Sequence, residues 1–273
     1  MSLVEMPALV LGGGLIGALI GSFLNVVIYR VPARRSIVSP RSACGSCGAP
    51  IRWHDNVPIL SWVLLRGRCR DCAAGISMRY PLIELGTALF FALVVWWAVG
   101  PGMANPWTAV TSIAFLYLSA ISVVLTMIDL DTHTLPNRIV LPAYPVGAIL
   151  LGVASLLGAG SDRLLTAAAG AAALFGLYFL LAIAYPGGMG FGDVKLAGVI
   201  GLYLGWLGWA ELAVGAFAAF LLGGVFSVVL LLARRANRRT AIPFGPWMIM
   251  GTWVGILAGD AIAAAYLLLF GLT

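Results

Sequence analysis

Two aspartates stand where apolar stretches of this chain give way to polar sequence. Asp129 lies in Met127-Ile128-Asp129-Leu130-Asp131-Thr132-His133-Thr134-Leu135-Pro136-Asn137, and Asp193 in Gly187-Gly188-Met189-Gly190-Phe191-Gly192-Asp193-Val194-Lys195. Carboxyls close enough to share a proton can do acid-protease chemistry. The ionised one takes a proton from water, and the protonated one polarises the scissile carbonyl. A single aspartate at the end of an apolar segment is most often just solvated. Two at one membrane depth, one of them inside a glycine loop, read better as a site. Asp129 follows the end of its apolar stretch, where a helix C-terminus favours the neutral carboxyl. Asp193 opens the next helix, whose N-terminus stabilises a carboxylate by about 0.3–1 kcal/mol. These settings make Asp193 the base and Asp129 the acid, within a pair that titrates as a unit.

The flanking residues suit that use. Gly190 and Gly192 let the backbone approach a substrate closely, and Pro136 stops the preceding helix from continuing. Lys195 is placed either to pair with a carboxylate or to reach the membrane interface. Asp131, two residues beyond Asp129, points elsewhere, and His133 reads as an incidental loop residue. Gly188-x-Gly190-x-Gly192 imitates a nucleotide-binding loop, but it sits between apolar segments and not in a βαβ unit.

The second constellation is Cys44-x-x-Cys47 with Cys69-x-x-Cys72, the pairs separated by 21 residues. That spacing suits a four-cysteine zinc site, in which four thiolates fill a tetrahedron and leave the metal structural. Gly45, Gly48 and Gly67 give the knuckles room to turn. The alternative is two disulfides, which rarely persist in a reducing cytoplasm.

These residues must be positioned by a membrane protein. The chain is 62% hydrophobic and 10% charged, with a mean hydropathy of +1.03, whereas soluble domains carry about 25% charged residues. Apolar segments occur at 7–29, 82–99, 108–128, 139–157, 164–185, 194–209, 211–233 and 246–271, predicting eight spans. The first has no basic region before it and no small-residue cleavage site after it, so it is expected to be retained. Threaded alternately, the spans leave residues 30–80 on one side, with Arg138, Lys195, Arg234, Arg235, Arg238 and Arg239. Fifteen of the sixteen basic residues then share a face and only Arg163 lies opposite, so that face is cytoplasmic. Asp129 and Asp193 fall on it too. The expected fold is an all-α polytopic membrane protein of about eight helices with a small cytoplasmic zinc-binding insert. The net charge of +6 is accounted for by topology and anionic lipid headgroups, so no nucleic-acid partner is expected.

Ile128-Asp129 with Leu135-Pro136-Asn137, and Gly190-x-Gly192-Asp193-x-Lys195-Leu196, resemble the motifs of the type IV prepilin peptidases, aspartyl proteases of the GxGD kind. Gly21-Ser22-Phe23-Leu24-Asn25-Val26-Val27-Ile28-Tyr29-Arg30 is similar to their first-span signature, and the four-cysteine insert to their two-activity form. The resemblance implies cleavage of prepilin and pseudopilin leaders at the cytoplasmic face of the bacterial inner membrane. It further implies N-methylation of the new terminus with S-adenosylmethionine. Residues 1–80 would then hold the first span and the methyltransferase-associated insert, with Gly67 a candidate donor-binding residue, and 81–273 the protease. Two rival readings are a proton-coupled transporter, which predicts mid-membrane carboxylates and an inverted repeat, and a non-catalytic zinc scaffold. Asp260, well inside the last segment, is a further acid that the dyad does not explain.

Overall fold

The structure, a computed structural model, describes residues 5–98, 106–185, 188–234 and 242–271. The described residues form nine α-helices: α1 (Glu5–Arg30), α2 (Leu60–Leu64), α3 (Arg79–Ala98), α4 (Pro106–Thr132), α5 (Asn137–Ala154), α6 (Ser161–Ala184), α7 (Phe191–Leu207), α8 (Trp209–Leu232) and α9 (Gly245–Leu269). Seven of them are long and apolar enough to cross a membrane. The remaining long helix, α7, has only 17 residues, of which 12 are buried by protein. The eight expected spans therefore correspond to eight long helices, and the chain is a multi-pass membrane protein. Arg235, Arg238 and Arg239 of the basic cluster lie outside the described residues.

The chain divides into two compact units. The first comprises residues 1–104 and 115–124, and the second 105–114 and 125–273. In the first unit α1 packs along α3 through Gly13, Gly17 and Gly21. A Cβ on Gly17 would stand 2.7 Å from the Thr87 carbonyl oxygen and one on Gly21 2.8 Å from Glu84 Cα, so the helix axes approach too closely for larger residues. Close contact through small residues holds apolar helices together where lipid removes the hydrophobic drive between them.

In the second unit α7 is the central helix, packed against α5, α6, α8 and α9. A Cβ on Gly170 of α6 would meet the Gly201 carbonyl of α7 at 2.6 Å. The same device joins α8 to α9, where Gly251 lies against the Gly215 carbonyl. Enclosure by four helices explains how a helix this short remains in the bundle. It also gives Asp193, in the first turn of α7, a dry setting.

Candidate active site and metal centre

Helix α4 does not stop where its apolar pattern ends. It runs through Asp129 to Thr132, whose hydroxyl donates to the Ile128 carbonyl at 2.8 Å. Asp129 therefore sits inside the last turn and not beyond it, because the helix is ended by the turn at His133 (φ 52) and by Leu135-Pro136. The helical register turns Asp129 inward, 4% exposed, and leaves Asp131 exposed. In α7, Asp193 occupies the third helical position, 8% exposed. Its carboxylate accepts the Gly190 amide at 3.1 Å, capping its own helix.

The residues around these aspartates converge on Leu135. A Cβ on Gly192 would meet Leu135 Cβ at 3.0 Å, and one on Gly245 would meet Leu135 Cδ2 at 3.3 Å. The loop after Asp129, the loop before Asp193 and the start of α9 thus close on a single side chain. The Asp129 carboxyl is near enough to act on the charge of Asp193. The Gly245 amide, at the beginning of α9, donates to Asp129 Oδ2 at 3.0 Å. A Cβ there would approach the same oxygen to 2.7 Å, so a larger residue would have to push that carboxyl off the amide. Each aspartate therefore accepts a backbone amide at a helix N-terminus. The helix ends do not divide acid from base as the sequence alone suggested.

Lys195 donates to Asn137 Oδ1 at 3.0 Å and lies 4.8 Å from the Phe191 ring centroid. Its partner is an amide, not a carboxylate, and the bond ties the Leu135-Pro136-Asn137 turn to α7. Tyr144 adds a second tie, its hydroxyl donating to the Lys195 carbonyl at 2.7 Å. Pro136 caps α5 with extended backbone, and Gly190 is the cap residue of α7. Tyr178, fully buried, joins Phe220 and Phe244 in an aromatic cluster beside the site and is near enough to feel the charge of Asp193. Asp260 is exposed. Sequence reasoning missed Gly245 and Tyr178. The Pro243-Phe244-Gly245-Pro246 punctuation was a visible signal for the first, and an apolar helix carried none for the second.

In the insert the sulfurs of Cys44, Cys47, Cys69 and Cys72 all lie within 4.8 Å of one another, and none is disulfide-bonded. Cys44 Sγ and Cys72 Sγ are 3.8 Å apart. This matches the edge of a tetrahedron with zinc–sulfur bonds of about 2.3 Å, roughly 3.8 Å. The knuckles share one architecture. Cys44 N donates to Ala49 O and Cys69 N to Ala74 O, at 2.9 and 2.8 Å. The tight position is Gly48 (φ 72) in the first and Ala73 (φ 57) in the second. Of the three glycines, Gly48 is the one at the tight position of a knuckle. Gly45 has open space, and Gly67 abuts Trp62 instead. The Cys47 and Ser46 amides pull the Cys44 thiol down to about 6. Cys72, although the Ala74 amide favours its thiolate, is pushed up to about 12 by the Cys47 thiol, burial and the other sulfurs. Four thiols this close cannot all ionise without a cation among them, so the cluster is suited to a metal ion.

The insert's arginines are partly structural. Arg70 grips both oxygens of Asp55 with its Nε (2.9 Å each), Arg52 pairs with Asp71 at 3.0 Å, and Arg30 donates to the Ser36 and Pro40 carbonyls.

The profile of the bacterial peptidase A24 N-terminal domain matches residues 15–98, and that of the type IV leader peptidase family matches residues 116–228. A prepilin leader peptidase/N-methyltransferase of Aeromonas salmonicida (strain A449) is 37% identical over 93% of this chain and 92% of the relative. A protein of the same name from Neisseria gonorrhoeae is 36% identical over 90% of each chain. One from Pseudomonas aeruginosa is 33% identical over 93% of this chain and 91% of the relative. No solved structure matches the chain.

Proposed function

Since the chain belongs to the type IV leader peptidase family, we propose that it cleaves the leaders of type IV prepilins and pseudopilins and then N-methylates the exposed terminus. Asp129 and Asp193 perform the cleavage. The observation that carries this reading is the closure of three distant stretches on Leu135, which leaves two buried carboxyls each fixed by one backbone amide.

With one proton shared between the carboxyls, the ionised one accepts a proton from water as it attacks the scissile carbonyl, while the protonated one donates to the carbonyl oxygen. Proton transfer to the leaving amine then restores the pair. Gly190 and Gly192 let the backbone close on the Asp193 carboxyl and on Leu135, beside the point where an extended peptide would enter, while Lys195 and Pro136 fix the turn that carries Leu135. The Gly245 amide orients Asp129, and the aromatic cluster keeps bulk water out. Acid and base are roles of the dyad as a whole.

The substrate is anchored in the bilayer, and the site faces the cytoplasmic side of the bacterial inner membrane. Supporting this are Arg138 and Lys195, both basic and both within a few residues of the dyad loops. The four cysteines hold zinc as a structural ion, since all four positions of its tetrahedron are taken by sulfur. Methylation belongs to the part carrying the first span and the insert, where Gly67 shapes the donor side. S-adenosylmethionine supplies, when bound, an electrophilic methyl carbon for the new α-amino group. Mass spectrometry of a purified prepilin incubated with the enzyme tests the sequence of events. Without the donor, only leader-free product is expected; with it, that product gains one methyl group. Methylated substrate that still carries its leader would refute the order.

A further inference from the structure

A cavity of about 490 Å³ opens between α1, α3 and the four-cysteine insert, within the range of roughly 300–1,000 Å³ usual for small-molecule sites. All of its lining residues belong to the unit that does not contain Asp129 or Asp193. Ser22 and Asn25 come from α1, Tyr80 and Glu84 from α3, and Ile59 and Trp62 from the insert. Cys44 and Cys69 reach the same wall, which makes the metal knuckles part of the cavity's frame.

Three acids line this space, and two are already neutralised, Asp55 by Arg70 and Asp71 by Arg52. Glu84 is different. It is half-buried, and among the described residues no cationic side chain pairs with it. One of its oxygens accepts the Ile59 amide at 2.7 Å, and the Ser22 side chain faces the same carboxyl. A carboxylate removed from water without a counter-charge is costly, so a cation in the cavity would be strongly favoured.

The wall opposite Glu84's helix is held under strain. Ile59 takes φ 61 and ψ −52, and Leu60 N donates to Pro58 O at 2.5 Å across it. This three-residue turn is rare, and a β-branched residue there is a true outlier. Such conformations persist where surrounding structure enforces them, commonly at ligand sites, and here the enforcing contact is Glu84 itself. Beside it Trp62 is fixed at both ends: its indole nitrogen donates to the Ile76 carbonyl at 3.1 Å, and its ring presses on Gly67. A Cβ on Gly67 would approach Trp62 Cζ2 to 2.7 Å.

Resting on the methyl-transfer reading above, we propose that this cavity is the binding site of the methyl donor. Glu84 faces the donor's cationic sulfonium and amino-acid end, and the Trp62 ring packs on its nucleobase. Gly67 is then a positioning residue that acts through Trp62, not a residue that touches the donor. A ligand with a compact positive charge at one end and a planar heterocycle at the other satisfies both the unpaired carboxylate and the fixed indole.

The test is direct binding to the purified, zinc-loaded full chain in detergent, with tritiated S-adenosylmethionine in equilibrium dialysis. Glu84→Gln retains an acceptor for the Ile59 amide but removes the charge, and should weaken binding at least tenfold. Trp62→Leu should weaken S-adenosylmethionine and S-adenosylhomocysteine alike. Zinc content and size-exclusion elution report whether each variant is folded. Ultraviolet crosslinking of the label to the unsubstituted chain decides independently of any variant, and should mark peptides containing residues 22–30, 55–65 or 76–84. Unchanged affinity in a folded Glu84→Gln chain, or label confined to residues 125–273, overturns the location. Failure of the unsubstituted chain to bind the donor overturns the methyl-transfer reading itself, and the location with it.

Discussion

In the four-cysteine insert each knuckle is closed by its own few residues, with Cys44 N bonded to Ala49 O and Cys69 N to Ala74 O. At the carboxylate pair, Asp129 takes its amide from Gly245, 116 positions later. The Leu135-Pro136-Asn137 turn beside the pair is tied to α7 by the Lys195 side chain. The insert is nearly all loop and lines up its four sulfurs by short-range turns and ion pairs. The bundle lines up its carboxyls by helix packing close enough to exclude a Cβ. One region therefore rests on short-range turns around a cluster suited to a metal ion, and the other on backbone proximity.

Removing the ion should break the first region and spare the second. Purified protein is expected to hold about one zinc per chain, as a single tetrathiolate site requires. A Cys44→Ser/Cys47→Ser double variant should lose it entirely, with the insert becoming open to proteases. Metal analysis and limited proteolysis measure both. Cysteines found disulfide-bonded in cytoplasm-facing protein would end this account of the insert.

Removing proximity should do the reverse. Gly245→Ala places a methyl group 2.7 Å from Asp129 Oδ2, forcing that carboxyl off the amide. A misplacement of this size should lower leader cleavage by roughly 10²-fold with zinc content unchanged. Near-normal cleavage by Gly245→Ala would show that the amide is not what orients Asp129.

The smallest effect concerns the insert's ion pair. Bidentate hydrogen bonding from Arg70 holds the Asp55 carboxyl below the usual carboxylate range. A group depressed in this way stabilises the fold above its ordinary value, and that stability is lost as pH falls through its folded value. Protease resistance of the insert in the unsubstituted chain should therefore exceed that of Asp55→Asn at neutral and mildly acidic pH. The two should converge only below about pH 4. A gap that closed already near pH 6 would assign the difference to something other than this carboxyl.

The same contrast explains what could be read from the chain. Hydropathy marked all eight long helices of the described residues, and cysteine spacing marked the four-sulfur cluster, because both signals are local. The end of α4 was misplaced because apolar pattern stops at Ile128 while the helix runs on to Thr132. The inward turn of Asp129 depends on that extra turn. Gly245, Tyr178 and Glu84 escaped notice for a related reason. Each acquires its role only from a partner on another element: Asp129, Asp193 and the Ile59 turn. Lys195 carried a readable charge, but its partner Asn137 could not be chosen without the packing of α5 on α7.

The central claim is that Asp129 and Asp193 act as one catalytic unit. Its most direct test is the rate of prepilin leader cleavage by Asp129→Asn, Asp193→Asn and the double variant, each first shown to be membrane-inserted and zinc-loaded. Groups that share one proton fail together, so each single variant should lose roughly 10²–10⁴-fold. The double variant should be no worse than either single variant. Near-normal cleavage by either single variant, or losses that multiply in the double variant, would contradict a shared dyad.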